Sequence, residues 1–232
     1  MDVQKEREIM KRDFTENWNN AYEKNTNLTI WPMSDLITYV KKFIKINKKL
    51  KILELGCGMG ANIPFLLSLG VQYYAIDGSE IAIKRLQEKF PELKNRLLVE
   101  DFTDNIPFSG YFDVIIDRSS LTHNDTNSIS NCIEIIEKKL VDNGMFIGID
   151  WFSQKHSAYQ HGGEKFQDDY TKFNFKSGQF NGTGIVHFSD KTHLENLFEK
   201  FNFKILEHKI INKEIPEDEQ VFAAWNFVVT KK

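Results

Sequence analysis

The chain has 232 residues, 41% hydrophobic and 27% charged, with a formal net charge of −3 and a pI near 6.1. That length supports one substantial core, while the acidic balance excludes the strongly basic footprint of a nucleic-acid binder. Two cysteines, Cys57 and Cys132, are too few for a disulfide framework, and no apolar run reaches the ~20 residues of a membrane span. Residues 1–14 are charged and have no apolar centre, unlike a signal peptide, so the expected setting is the cytoplasm.

Along residues 3–24, Ile9, Met10, Phe14, Trp18 and Tyr22 recur at three- to four-residue spacing, which predicts an amphipathic helix. Pro32 opens a second helix through about Lys45. Lys49 to Leu55 is an apolar run ended by glycine, a buried strand. Ala61 to Leu69 follows as a helix closed by Gly70. Gln72 to Ile76 is the second strand. Ser79 caps a helix running to Phe90. Arg96 to Val99 and Phe112 to Ile116 are the third and fourth strands. Thr126 to Leu140 is a helix with Ile129, Ile133 and Ile136 on one face, and Asn143-Gly144 turns into a fifth strand, Met145 to Ile149. Alternating strands and helices predict a parallel sheet wound by crossover helices. From Trp151 to about His187 no period emerges, and the segment is polar, aromatic and glycine-containing, as expected of a functional loop rather than a disordered one. Ser189 to Lys200 is again helical. Phe203 to Ile211 and Val221 to Val229 are two final strands around a charged turn at Pro216.

The stretch Lys51-Ile-Leu-Glu-Leu-Gly-Cys-Gly-Met-Gly-Ala61 carries the chemistry. Glycines 56, 58 and 60 lie between a strand and a helix, where a backbone without side chains admits a ligand closely. Asp77 ends the next strand, 21 residues after Gly56, at the distance where an acid accepts the ribose hydroxyls of an adenosine.

Glu54-x-Gly56-x-Gly58-x-Gly60 resembles motif I of class I S-adenosylmethionine-dependent methyltransferases. The likeness continues through Tyr73 to Ser79, Glu100-Asp101-Phe102, Phe112 to Ser119 and Leu140 to Phe146. It implies an α/β Rossmann-like fold: a seven-stranded, mostly parallel sheet of order 3-2-1-4-5-7-6, with helices on both faces and a lid inserted after strand five. It divides the single domain into a helical cap (1–47), a cofactor-binding core (48–150), a substrate lid (151–188) and a C-terminal helix with two strands (189–232). S-adenosylmethionine is the implied cofactor and S-adenosylhomocysteine the product. The implied cofactor residues are Glu54, chiefly as a brace of the loop, with Gly56, Gly58, Gly60, Asp77, Gly78, Ser79, Asp101, Phe102 and Asp117. Trp31, and with less weight Tyr22, is expected to fold over the site. Cys57 is expected to be a small filler and Asp113 a strand-edge cap.

The segment Asp117-Arg-Ser-Ser120 differs from the N/D-P-P-Y/F/W motif of enzymes that methylate base amines or glutamine. A small polar acceptor, including an anionic one, is therefore expected rather than nucleic acid or membrane, with O-methylation favoured. An alcohol nucleophile needs a proton acceptor; His123 is the first candidate, followed by His156 and His161. Arg118, Lys155 and Lys165 are candidate anion ligands, and His187 and His193 read as structural. Tyr159, Phe166, Tyr170 and Phe173 either enclose the acceptor or pack the lid. Asp117, Asp150 and Asn124 only loosely resemble a catechol-type metal set, so no metal is expected. The layout also resembles bacterial small-molecule methyltransferases, some of which modify sugar or phosphorus-containing precursors of surface polysaccharides. Two alternatives stay open on the residues alone: an NAD-dependent oxidoreductase, since Ala61 can stand for the last glycine of G-x-G-x-x-G, and a non-catalytic cofactor-binding module.

Overall fold

In a computed structural model, which describes residues 16, 18–24, 29–215 and 218–232, the apolar runs become the strands of one seven-stranded sheet. The expected helical positions Ile9, Met10 and Phe14 and the expected turn at Pro216 lie outside the described residues. Residues 18–23 are helical. In chain order follow α1 (Ser34–Phe43), β1 (Lys51–Leu55), α2 (Ile63–Ser68), β2 (Gln72–Asp77), α3 (Glu80–Lys89), β3 (Leu97–Val99), β4 (Phe112–Arg118), α4 (Thr126–Lys139) and β5 (Leu140–Phe152). An insertion holds α5 (Ser157–His161), β6 (Glu164–Lys165), β7 (Thr171–Phe173) and β8 (Val186–His187). The chain closes with α6 (Lys191–Leu197), β9 (Phe201–Lys213) and β10 (Asp218–Lys231).

The main sheet has the order β3-β2-β1-β4-β5-β10-β9. Strands β1 to β5 pair in parallel, while β10 runs antiparallel between β5 and β9. Relative to the expected numbering, the last two strands are displaced by β6, β7 and β8, which form a separate three-stranded sheet. The insertion showed no period because its strands are only two or three residues long.

Alternate residues of the strands feed two cores. Ile52 and Val114 pack with α1, α2 and α3 on one face, while Leu53, Leu55 and Ile115 pack with α4 and α6 on the other. Each fully buried aliphatic side chain contributes roughly 1.5–3 kcal/mol of transfer free energy. Helix starts are capped by side chains, at Ser79 as the sequence predicts and at two aspartates besides. Ser79 Oγ accepts from the Ala82 amide at 3.2 Å, Asp125 from Ser128 at 3.0 Å and Asp190 from His193 at 2.7 Å. Strand β5 is longer than expected at both ends because it is bonded on both sides, from Leu140 beside Phe112 to Phe152 beside Ala224. The insertion has its own aromatic core of Phe152, Phe175, Phe180, Val186 and Phe188, which absorbs part of the chain's phenylalanine excess. Among the described residues no helix is long and apolar enough to cross a membrane.

Candidate active site

A cavity of about 580 Å³ opens beyond the carboxyl ends of β1, β2, β4 and β5. Strand β1 leads to α2 on one face of the sheet and β4 leads to α4 on the other. The connecting loops therefore diverge and leave a crevice between them, the usual ligand position in an open parallel sheet.

One end of the cavity is built from the glycine loop. Gly56, Gly58 and Gly60 have φ of +65°, +49° and +77°, where a side chain is strained. At Gly56 a Cβ would also overlap the Ser120 side chain. The loop is tied to β2: the Gly56 amide donates to Ile76 O at 2.8 Å, and the Gly58 amide to Asp77 Oδ2 at 2.7 Å. The Ser79 amide donates to Asp77 Oδ1 at 2.9 Å. Burial raises the Asp77 pKa, while the Ser79 and Gly58 amides pull it back. Beneath the loop Glu54 is buried, accepting from Asn62 Nδ2 at 2.6 Å and from the Tyr73 hydroxyl at 2.5 Å. Burial pushes its pKa up to about 7. Asn62 lines the cavity, and its Oδ1 is buried without a hydrogen-bond partner among the described residues.

The helical stretch 18–23 covers this end. Ser79 Oγ donates to Asn19 Oδ1 at 2.5 Å, and Arg85 donates to Tyr22 O at 2.9 Å. The Tyr22 hydroxyl lies against Gly58, where burial drives its pKa upward.

The other end lies between β4, β5, β9, β10 and the insertion. His123 lines it, ringed by Trp18, Phe152 and Phe180 with centroids at 5.3, 5.9 and 6.3 Å. Burial lowers its pKa to about 4, so it is neutral near pH 7. Arg118 Nη2 stands 3.4 Å from Asp150 Oδ2. Lys209 Nζ stands 3.3 Å from Asp150 Oδ1 and 2.8 Å from Asp35 Oδ2.

The fold brings Glu54, Gly56, Gly58, Asp77, Gly78, Ser79, Phe102, Arg118 and His123 to the cavity wall. Other expected residues stand behind it. Gly60 shapes the turn: its amide donates to Cys57 O at 2.9 Å, and a Cβ there would meet Leu86 Cδ2 at 2.6 Å. Asp101 caps its own turn, accepting from the Thr103 amide at 2.9 Å. Asp117 is fully buried under the floor, accepting from Ser120 Oγ and from the Leu121 amide at 3.0 Å; burial raises its pKa to about 6. His156 belongs to the insertion core: its Nδ1 accepts from the Ala158 amide at 3.0 Å, and Nε2 lies 3.1 Å from the Gln179 carboxamide. Trp31 is 75% exposed and does not line the cavity, although Thr29 and Met33 on either side of it do; the aromatic cover there is Trp18 with Tyr22.

Away from the cavity, Lys165 pairs with Asp169 at 2.5 Å on the surface, Lys155 and His161 lie outside the wall, and Tyr159 packs on the insertion core. His187 and His193 stand 3.1 Å apart, and Tyr170 stacks on His193 at 3.6 Å. Asp113 accepts from the Lys51 amide at 2.8 Å as an edge cap. Cys57 fills the loop and reaches the wall. Asn62, Phe180, Lys209 and Phe222 also line the cavity without having been singled out. Asn62 was legible as the loop's partner to Glu54, whereas nothing local marks Lys209, which comes from the C-terminal strand pair.

Comparison with known proteins fits this geometry. Residues 32–208 match the family described as Methyltransferase domain. An S-adenosylmethionine-dependent methyltransferase structure from Methanosarcina mazei superposes with a TM-score of 0.65 at 17% identity, over 87% of this chain and 98% of that one. A glycopeptide N-methyltransferase complexed with S-adenosylhomocysteine gives 0.58 at 13% identity, over 85% and 86%. Among curated sequences, ribosomal RNA small subunit methyltransferase A of Parabacteroides distasonis is 38% identical over 55 residues, 24% of this chain. The match spans only 21% of that relative's length.

Proposed function

The chain belongs to the Methyltransferase domain family as an S-adenosylmethionine-dependent enzyme, and from that premise we propose that it methylates an oxygen of a small acceptor carrying a polar or anionic group, at the His123–Arg118 end of the cavity. The observation that carries this reading is the division of one cavity into two chemically distinct ends. The glycine-loop end suits the cofactor: Asp77 faces the cavity with lone pairs for hydroxyl donors, and the buried, unpartnered Asn62 Oδ1 suits an ammonium group. When bound, the cofactor supplies a sulfonium-activated methyl group.

At the other end the chain orients a nucleophile and keeps water out. His123 is neutral near pH 7 and is held by a backbone hydrogen bond with Ile185, and its depressed pKa makes it a weak proton sink. The site therefore favours an oxygen that needs positioning more than deprotonation. We assign His123 to acceptor orientation and Arg118 to acceptor binding. The same reading makes the segment before β1 a cap over the cofactor and residues 151–188 a lid over the acceptor. The acidic charge and the Asp117-Arg-Ser-Ser120 sequence favour a metabolite over nucleic acid. Two buried free thiols, Cys57 and Cys132, suit a cytoplasmic setting.

The test is a thermal-shift series with S-adenosylmethionine, S-adenosylhomocysteine and NAD, followed by methyl-transfer assays on His123→Asn. The expected result is stabilisation by the two sulfur compounds alone. His123→Asn should keep cofactor affinity and lose most turnover. Unchanged turnover in that variant would remove His123 from the reaction.

A further inference from the structure

The acceptor end carries a local conformation that its sequence does not favour. Ser119 follows β4 and Asp150 lies near the end of the neighbouring β5; both line the cavity, with φ of +56° and +53°. Left-handed backbone at non-glycine residues is strained and tends to gather at functional sites. Here it is held by Ser119 Oγ donating to Asp150 O at 3.0 Å and by the Asp150 amide donating to Asn226 Oδ1 at 2.8 Å.

The conformation sets the Asp150 carboxylate between two cations, Arg118 at 3.4 Å and Lys209 at 3.3 Å. Both distances exceed the ~2.7–2.9 Å of a close charge-assisted hydrogen bond. Lys209 makes its shorter bond to Asp35, at 2.8 Å. Two cationic groups on the cavity wall thus face two carboxylates, with only Lys209–Asp35 at close distance, and Arg118, whose Nε is buried without a partner among the described residues, keeps donors for another anion.

The facing wall is apolar. Phe152 and Phe180 meet edge to face at 4.7 Å, with Phe222 and Ile211 alongside. Its polar groups already have protein partners: Gln179 is bonded to His156, and Thr183 Oγ1 donates to Phe180 O at 2.9 Å. Such a wall offers few groups for the hydroxyls of a sugar, so it does not favour a polysaccharide precursor. It suits a flat hydrophobic body.

We propose that this end is a binding site for a hydrophobic organic acid, its body against Phe152, Phe180 and Phe222 and its carboxylate on Arg118 and Lys209. The proposal rests on the methyltransferase reading only in taking this acid to be the acceptor. Lys209 is then a specificity residue contributed by β9, and Asp150 the counter-ion that spaces the two cations.

The test uses protein saturated with S-adenosylhomocysteine, whose binding is titrated separately so that failure of the cofactor reading shows by itself. Benzoate, its neutral isostere benzamide, and glucose 6-phosphate are then titrated by ligand-observed NMR. Benzoate should bind, and benzamide and glucose 6-phosphate at least about tenfold more weakly, given the strength of hydrogen bonds to charged groups. Lys209→Gln should weaken benzoate by a similar factor and leave benzamide unchanged. Because Lys209 also holds Asp35, Ile211→Glu serves as a second variant: Ile211 is half-exposed at the cavity mouth, and a carboxylate there should repel benzoate alone. Equal binding of benzoate and benzamide, tighter binding of glucose 6-phosphate, or indifference of benzoate to both variants would overturn the proposal.

Discussion

The backbone amide of Gly58 donates to Asp77 Oδ2 at 2.7 Å, so the acid at the end of β2 holds the glycine loop as well as facing the cavity. The same carboxylate is therefore structural support and ligand group at once. Asp77→Asn keeps the side-chain shape but removes the charge and one of the two acceptors that the Gly58 and Ser79 amides use. Titration calorimetry should show the affinity for S-adenosylhomocysteine falling about 10- to 100-fold, the range for losing hydrogen bonds to a charged group. An unchanged affinity would place the cofactor elsewhere.

Gly56 and Gly78 both line the cavity but differ in what a methyl group would meet. At Gly56 it would overlap Ser120 with φ at +65°, while at Gly78 nothing stands within 4 Å. Urea denaturation should find Gly56→Ala destabilised by about 2 kcal/mol or more, and Gly78→Ala within about 0.5 kcal/mol of the parent.

The pH dependence of stability should carry the mark of Glu54. Its pKa is raised from the ordinary 4.5 to about 7 by burial. The folded state thus holds a proton that the unfolded chain has released, and this stability is lost as the pH rises from about 4.5 to 7. The lost contribution is on the order of 3 kcal/mol. Glu54→Gln removes the term, so the stability difference between variant and parent should shift in the variant's favour across that window and level off above pH 7. A difference that stays flat from pH 5 to 8 would mean that Glu54 is ionised throughout.

Burial works in the opposite direction on His123, His156, His187, His193 and His208. His123 and His156 are lowered to about 4 and His187 to about 3. For a base with a lowered folded pKa, the unfolded chain takes up protons first, so stability falls as the pH drops from about 6.5 towards 4. Each such histidine adds about 1.4 kcal/mol per pH unit to the slope while only the unfolded state is charged. His187→Phe should flatten the acid limb of a chemical-denaturation series by about that amount, whatever its effect at pH 7.

Trp18 lines the cavity and lies edge-on to His123, whereas Trp31 is exposed and does not line it. Trp18→Ala should weaken S-adenosylhomocysteine binding by roughly tenfold, the scale of one buried aromatic contact, and Trp31→Ala should leave it unchanged. Equal effects of the two would return Trp31 to the cover.

The cofactor half was legible because its determinants are local. Lys51–Leu55, the glycines after it and Asp77 lie within one strand-loop-helix-strand unit, where apolar runs, positive φ and helix caps are decided by neighbouring residues. The main-sheet strands, the Ser79 cap and the family likeness followed from that unit and its repetition. Within the same motifs, spacing did not separate wall from support. Gly60 and Asp101 occupy expected positions but stand off the wall, because Leu86 and Ile63 crowd Gly60 and the Asp101 carboxylate is taken up by the Thr103 turn.

The acceptor half was not legible from local pattern. Arg118, Asp150, Lys209 and Phe222 lie on four different strands and meet only because β10 inserts antiparallel between β5 and β9. His156 immediately precedes the helix it caps, yet its ring is claimed by the aromatic core of the insertion, which no short segment predicts. The amino-acid sequence by itself determined the sheet, its parallel winding and the glycine-loop cradle, since these depend on hydrophobic period and backbone freedom over a few residues. Only the tertiary structure decided which charged and aromatic side chains share the other end of the cavity, since burial and long-range strand pairing set both their neighbours and their ionisation.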